Sequence, residues 1–214
     1  RRQMESMDGF FAEARSMMAR NAQASREREW LSKVRVVSET QPLLPPKISE
    51  RVFAEVSNAL YEDYWLDLTY RNLVGKRSQA RVMPLGLAQQ GVRMYLICRF
   101  EGYTDERALA LHRIEDTQCA GLTFERPKDF SLQKYVDEAH FGMGNGTKIK
   151  LTLKVKKYFG MQLLETALSK DQVHVDLGDY LEISARVHDS KQLDWWLLSL
   201  GDSVLAVNKL TVDE

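Results

Sequence analysis

Three helices are predicted near the start of the chain, because apolar residues recur there at three- and four-residue spacing. They cover residues 4–20, 25–33 and 49–62. Residues 41–46 hold three of the five prolines and predict an extended linker before the third helix. Ser49 is the predicted N-cap of that helix. Its predicted buried stripe consists of Val52, Phe53, Val56 and Leu60.

From residue 64 the spacing of apolar positions changes to two, which predicts β-strands. The predicted strands cover residues 64–71, 79–88, 92–100, 106–112 and 114–123. Pro84 and Gly86 predict that the second strand either bends or lies at an edge. Short strands joined by tight turns favour a small barrel or a strongly bent sheet.

The last third of the chain has another order of elements. Residues 125–146 contain Pro127, a helix predicted over 131–138 and a glycine-rich stretch, and they predict a connector between domains. The later pattern predicts strand, helix, strand, strand, helix and strand at residues 147–156, 158–169, 171–177, 180–188, 190–200 and 203–209. This β-α-β-β-α-β order is typical of a ferredoxin-like unit.

The predicted fold class is therefore α+β, in four segments. They are a helical linker with a possible dimer contact at 1–48, a small β-barrel at 49–124, the connector at 125–146 and the ferredoxin-like domain at 147–214. A length of 214 residues accommodates two domains. The chain begins with Arg1, inside charged and helix-like sequence, so we expect it to be part of a longer protein.

Composition excludes several classes of protein. Lys+Arg and Asp+Glu both number 30, so a generally basic protein that coats nucleic acid is disfavoured, although a local basic patch is allowed. The sequence has no apolar run near 18 residues and no signal-peptide core, and we expect a cytoplasmic protein without a membrane span. Cys98 and Cys119 lie in apolar, strand-like surroundings and are predicted to be reduced thiols.

The third strand carries the most informative polar pattern. One of its faces is an apolar row, and the other presents Arg93, Tyr95, Ile97 and Arg99. Guanidinium groups beside an aromatic ring suit phosphates and stacked bases, although a solvated edge with two incidental arginines explains this strand equally well. Further arginines follow nearby, at Arg71, Arg77, Arg81, Arg107 and Arg113, and residues 70–100 contain no carboxylate. If the strands are neighbours, these charges repel one another unless they meet an anion, which predicts an anion site.

Catalytic and metal-binding patterns are missing from the sequence. It contains no G-x-S-x-G, P-loop or H-E-x-x-H motif, and its four histidines lack ligand spacing. A nuclease or phosphodiesterase needs carboxylates or histidines near the basic site, and the strands supply almost none. We therefore expect no catalytic residues, no metal and no cofactor.

Several segments together resemble WYL domains. Residues 80–87 resemble the R-x-V-x-P-x-G-L stretch of that family, and Met94-Tyr95-Leu96 stands where the family has its naming Trp-Tyr-Leu triplet. Residues 107–114 resemble the R-x-F-x-L-D-R-I strand, and Leu68-Thr69-Tyr70 matches the end of the first strand. Residues 124–130 resemble the F-x-x-P-x-D-F connector, and residues 193–201 resemble a helix of the C-terminal extension. The resemblance runs from about 49 to 208.

The resemblance implies an Sm- or SH3-like barrel, then a ferredoxin-like extension. It also implies a bacterial transcription factor, commonly a homodimer, whose winged helix-turn-helix domain for promoter DNA is missing from this chain. The family's pocket is thought to bind a nucleic-acid or nucleotide-like effector. Carried onto this sequence, the ligand-binding candidates are Tyr70, Arg81, Tyr95, Arg107, His112 and Arg113, and Arg71, Arg93 and Arg99 form a secondary basic face. Met94 replaces the usual Trp, and His112 stands where an acid is common.

The function predicted from these features is effector sensing by a transcriptional regulator, through a basic and aromatic pocket coupled to an attached DNA-binding domain. The alternative is a structural module for dimerisation or partner binding, without a small ligand. Helix 4–20 and the C-terminal domain are both candidate dimer surfaces.

Overall fold

The computed structural model describes residues 41–144 and 146–212, together with Lys33. The chain divides into two compact units between Lys128 and Asp129, a point inside the predicted connector. The helix predicted over 4–20, with its dimer contact, lies outside the described residues, as does the helix predicted over 25–33 apart from Lys33. Residues 41–49 have no regular secondary structure, in agreement with the predicted linker.

Helix α1, Glu50–Glu62, packs on the sheet of the first unit. Its buried residues are Val52, Val56 and Ala59, and Phe53 and Leu60 are half-buried beside them, which confirms the predicted stripe. Ser49 occupies the N-cap position, but its side chain makes no capping hydrogen bond. The helix ends at Asp63, whose left-handed backbone lets its N–H donate to the carbonyl of Ala59.

Five antiparallel strands form the first sheet: β1 Tyr64–Arg71, β2 Arg77–Gln90, β3 Arg93–Phe100, β4 Glu106–Ala110 and β5 Ile114–Thr123. Their order across the sheet is β4-β3-β2-β1-β5. The register of β2 against β3 shifts between Pro84 and Gly86, so the predicted bend is confirmed. Because β2 pairs with a strand on each side, the alternative prediction of an edge strand is wrong.

The first sheet is not a closed barrel. β4 and β5 are its two edges, and no backbone pairing joins them within the described ranges. The fourth strand ends at Ala110, two residues earlier than predicted, and Leu111–Arg113 form a 3-10 turn. β5 pairs with β1 and not with β4. The chain must therefore end its pairing with β3 and cross to the other edge of the sheet before β5 begins.

The core of the first unit lies between α1 and one face of this sheet. Leu66, Val82 and Leu96 are fully buried there, each stabilising the fold by about 1.5–3 kcal/mol. Met94 and Cys98 continue the predicted apolar row of β3 into the same core. Met94 is only 8% exposed, so the residue that replaces the family's Trp is a packing residue here.

The second unit has the predicted β-α-β-β-α-β order, after a short helix α2 at Leu132–Asp137. Its elements are β6 Lys148–Lys156, α3 Lys157–Glu165, β7 Val173–Asp176, β8 Tyr180–His188, α4 Lys191–Ser199 and β9 Val204–Thr211. All pairings are antiparallel, in the order β7-β8-β6-β9. Leu151, Leu153 and Ile183 are fully buried, and side chains of α3 and α4 pack against them. The order of helices and strands agrees with a ferredoxin-like unit, and the rest of that assignment stays a prediction. Among the described residues, no helix is long and apolar enough to cross a membrane.

Candidate anion-binding site

Arg81, one of the predicted ligand-binding residues, is held by a carboxylate. Arg81 in β2 lies directly opposite Asp67 in β1 and donates two hydrogen bonds to it, of 2.8 and 2.9 Å. These hydrogen bonds hold the pKa of Asp67 below its ordinary value and raise the pKa of Arg81. Arg81 therefore has a partner within its own sheet.

An open groove of about 620 Å³ lies over this ion pair. Its charged lining residues are Arg81 and three carboxylates, Asp67, Glu101 and Asp116. Asp116 also pairs with Arg51, and both side chains are largely exposed. Because carboxylates outnumber cations in its lining, the groove does not favour an anionic ligand.

Arg71 and Arg99, two of the three arginines of the predicted secondary face, are also paired with carboxylates. Arg71 and Arg77 share Glu115, at 2.5 and 2.6 Å. The hydrogen bond from Arg71, aided by the charges of both arginines, lowers the pKa of Glu115. Arg99 donates to Glu106 from Nε and Nη2, at 2.9 and 2.5 Å. Their positive charge is largely neutralised where they stand.

Arg107 and Tyr95 lie in separate surroundings. Arg107 pairs with Asp105 at 2.9 Å, and its guanidinium lies over the rings of Phe100 and Tyr103, 5.0 and 5.3 Å from their centroids. Tyr95 is half-buried in the middle of β3, paired with β2 on one side and β4 on the other. Arg107 is thus exposed, and it contacts a carboxylate and two aromatic rings.

Four of the remaining polar residues come together beside the 3-10 turn. Arg113 donates a long hydrogen bond, 3.5 Å, to the hydroxyl of Tyr70. The 3-10 turn contacts β3, and the charge of Arg93 acts on the ring of His112. Within the described part of the chain, neither Arg93 nor Arg113 has a carboxylate partner. We call Tyr70, Arg93, His112 and Arg113 the basic cluster.

His112 is the most unusual member of the basic cluster. Burial lowers its pKa from the ordinary 6.5, and the charges of Arg113 and Arg93 lower it further. Its Nδ1 is buried and has no hydrogen-bond partner among the residues that the structure describes. An unsatisfied buried nitrogen costs free energy. The cluster thus presents two guanidinium groups, a hydroxyl and an imidazole ring.

Sequence reasoning found part of this cluster. Tyr70, His112 and Arg113 were among the ligand-binding candidates, and Arg93 belongs to the secondary face. Sequence reasoning missed the carboxylates that neutralise the other arginines. These carboxylates are Asp67, Asp105, Glu106 and Glu115. All four lie outside residues 70–100, the stretch whose lack of acids suggested one basic site. Pairing β1 with β2 and β3 with β4 supplies the signal, because it places Asp67 opposite Arg81 and Glu106 opposite Arg99.

Other reactive groups do not form a site with the basic cluster. Both cysteines are free thiols. Cys98 is buried in the core, and burial raises its pKa to about 12, so its thiolate is scarce at neutral pH. No group of three or more His, Cys, Asp or Glu side chains able to hold a metal occurs among the residues with a described structure.

Comparisons with known proteins add a family assignment for part of the chain. Proteasome accessory factor B/C (PafBC) of Arthrobacter aurescens is 23% identical over 80% of this chain and 26% of its own, with a TM-score of 0.40. A CRISPR Cas-related protein is 10% identical over 73% of this chain and 46% of its own, with a TM-score of 0.44. The chain thus spans under half of either protein. No curated protein matches. Residues 51–119 match the WYL domain family, so the first unit of this chain contains a WYL domain.

Proposed function

We propose that this chain is the effector-sensing region of a transcriptional regulator, and that the basic cluster binds the phosphate of a nucleotide or nucleic acid. The WYL domain at residues 51–119 supports a regulatory role. The observation that carries the proposal is the presence of Arg93 and Arg113 beside His112 without a carboxylate partner in the described residues.

A bound phosphate would satisfy each member of the cluster. The guanidinium groups of Arg93 and Arg113 present planar donor forks that match phosphate oxygens. His112 becomes a donor to the anion when it is protonated, and the anion in turn favours the protonated ring. Binding to the protonated ring therefore takes up a proton, so the contribution of His112 to affinity grows as the pH falls.

The position of the cluster offers a route for coupling. Arg113 ends the 3-10 turn, and β5 begins at the next residue. A phosphate that draws Arg113 away from the Tyr70 hydroxyl would shift this turn and the start of β5. We propose that such a shift biases a DNA-binding domain attached in the whole protein, and linkage requires that the bias act in both directions. The proposal is binding without catalysis.

A second candidate function is a module for dimerisation or partner binding without a small ligand. Carboxylates of the same unit pair with five arginines, which favours this candidate: Arg71, Arg77, Arg81, Arg99 and Arg107. In this reading the arginines stabilise the sheet and the basic cluster is incidental.

Calorimetric titration with a 5′-phosphorylated dithymidine separates the two functions. Loss of one charge-assisted contact, in Arg93→Gln or Arg113→Gln, should weaken binding by roughly tenfold to hundredfold, equivalent to about 1.5–3 kcal/mol. The matched control is Arg77→Gln, an exposed arginine already paired with Glu115, which should bind like the unaltered chain. Equal losses in control and cluster variants, or no binding by the unaltered chain, would refute the effector site and favour the second candidate.

A further inference from the structure

The second unit carries a row of lysines on one face of its sheet. In β6, Ile149, Leu151, Leu153 and Val155 are buried, and the alternate positions point to the opposite face. Those positions are Lys148, Lys150, Thr152, Lys154 and Lys156. Helices α3 and α4 pack on the buried side, so we call the other side the lysine face.

Neighbouring strands add to the lysine face through their register. Lys150 lies opposite Arg186 of β8, and Lys156 lies opposite Tyr180. The ammonium of Lys154 lies over the Tyr180 ring, 5.2 Å from its centroid. On the other flank, β9 places uncharged residues beside β6, because Asn208 lies opposite Thr152.

Carboxylates balance only part of this charge. Glu182 lies opposite Lys154 on the same face. Arg186 pairs with Asp171 at 3.7 Å, and because both side chains are largely exposed this pair contributes little. Lys150 and Lys156 have no carboxylate partner in the described portion of the chain. The face therefore keeps a strong positive charge in a chain whose formal net charge is zero.

The lysines of β6 do not serve the usual protective role of lysines in sheets. Lysines often guard an edge strand against pairing with other chains. β6 is an inner strand, hydrogen-bonded to β8 on one side and β9 on the other. A straight row of like charges on an inner strand is better explained by an extended polyanion that neutralises it.

We propose that the lysine face binds single-stranded nucleic acid along its phosphate backbone. Alternate residues of a strand lie about 7 Å apart, so the lysines form a straight row of cations along which a flexible phosphate backbone can lie. Thr152 and Ser184 lie at the centre of the face, and their hydroxyls are 2.9 Å apart. Because both side chains are short and polar, they do not obstruct a strand that lies across the lysines. The half-buried Tyr180 ring, with the Lys154 ammonium over it, adds an aromatic and cationic group that a nucleotide can contact. A duplex, whose phosphates wrap around a cylinder, would touch a sheet face at fewer points.

Lysine footprinting on the whole chain tests the placement directly. The chain is acetylated at low reagent concentration with and without a saturating twelve-residue oligothymidine or oligouridine, and modified lysines are located by mass spectrometry. Lys150 and Lys156 should be protected. Lys134 on α2 and Lys191 on α4, both about two-thirds exposed, are the controls and should not be. Protection should persist in Arg93→Gln/Arg113→Gln, because the lysine face does not depend on the basic cluster.

Salt-dependent affinity gives a second readout. Removing two phosphate contacts in Lys150→Gln/Lys156→Gln should lower the slope of log affinity against log salt by about 1.4, and affinity roughly 25-fold at 0.1 M salt. Lys134→Gln/Lys191→Gln should behave like the unaltered chain.

Three results would overturn the proposal: no protection at saturation, equal binding of a duplex, or protection by anionic lipid vesicles but not by oligonucleotides. Loss of dithymidine binding alone, in the cluster variants, would leave the lysine face intact.

Discussion

Replacing Arg81 by alanine distinguishes a structural arginine from a ligand-binding one. The sequence predicts Arg81 as a ligand for an anion, whereas the structure places both of its donor nitrogens on Asp67, at 2.8 and 2.9 Å. We therefore expect Arg81→Ala to lower the stability of the first unit and to leave dithymidine binding at the basic cluster unchanged.

The expected loss of stability is small because the ion pair is partly exposed. The side chains of Arg81 and Asp67 are 35% and 48% exposed, so solvent screens their attraction. Partly exposed pairs contribute about 0.2–1 kcal/mol, and the two parallel hydrogen bonds place this pair near the upper end of that range. A coupling of about 1 kcal/mol changes the unfolding equilibrium by roughly fivefold.

The pair should also contribute to the pH dependence of stability. Hydrogen bonds from Arg81 hold the pKa of Asp67 below 3.8 in the folded state. A carboxyl group whose folded pKa is lowered stabilises the fold fully above its unfolded pKa, and this contribution is lost as the pH falls through the folded value. The difference in stability between the unaltered chain and Arg81→Ala should therefore be present at neutral pH and shrink below pH 3.8.

A double-mutant cycle measures this coupling. Urea unfolding of the unaltered chain, Arg81→Ala, Asp67→Ala and the double variant should yield a coupling free energy near 1 kcal/mol at neutral pH, since the cycle isolates the pairwise contribution. Zero coupling would refute the structural role. Loss of dithymidine binding in Arg81→Ala as severe as in Arg113→Gln would show that the sequence-based assignment of Arg81 was right.

Two further substitutions and one thiol reagent test the packing. Met94→Trp should destabilise the first unit by about 1–3 kcal/mol in urea unfolding, because a larger ring must enter a filled core; unchanged stability would place Met94 elsewhere. In Gly160→Ala the added Cβ would lie 2.8 Å from Leu181 Cδ1, and crowding of about 1–3 kcal/mol outweighs the gain of about 1 kcal/mol in helix propensity, so thermal unfolding should show a net loss. With a thiol reagent, half-buried Cys119 should react before buried Cys98, whose pKa is raised to about 12; the reverse order would contradict the burial of Cys98.

The periodicity of apolar residues was sufficient to predict most of the elements. Spacing of three and four residues predicted α1, and spacing of two predicted the strands of both sheets, because these periods follow from backbone geometry. The end of β4 was not predictable in this way. Leu111 is buried and His112 is polar, so the alternation continues through the 3-10 turn, and only the pairing of β5 with β1 requires the strand to stop at Ala110.

Charge was harder to interpret than hydrophobicity. A count of arginines along residues 70–100 suggested one basic site, but ion pairing depends on which strands are neighbours. Asp67 neutralises Arg81 from fourteen residues away, and Glu115 reaches Arg71 across 44 residues. The basic cluster is what remains after this pairing, so its identification required the sheet order. The alternation of β6 alone places its lysines on one face of the strand. Only the structure shows that α3 and α4 cover the other face.

The pKa of His112, measured by NMR titration of its ring protons with and without saturating 5′-phosphorylated dithymidine, tests the effector site most directly. His174, in the other unit, supplies a reference resonance. Burial, and then the charges of Arg113 and Arg93, lower the pKa of His112 in the free chain. The account predicts that bound phosphate raises this pKa, because the anion offsets the two charges. An unchanged pKa of His112 at saturation would mean that the ligand binds elsewhere, and it would contradict the assignment of the basic cluster as the effector site.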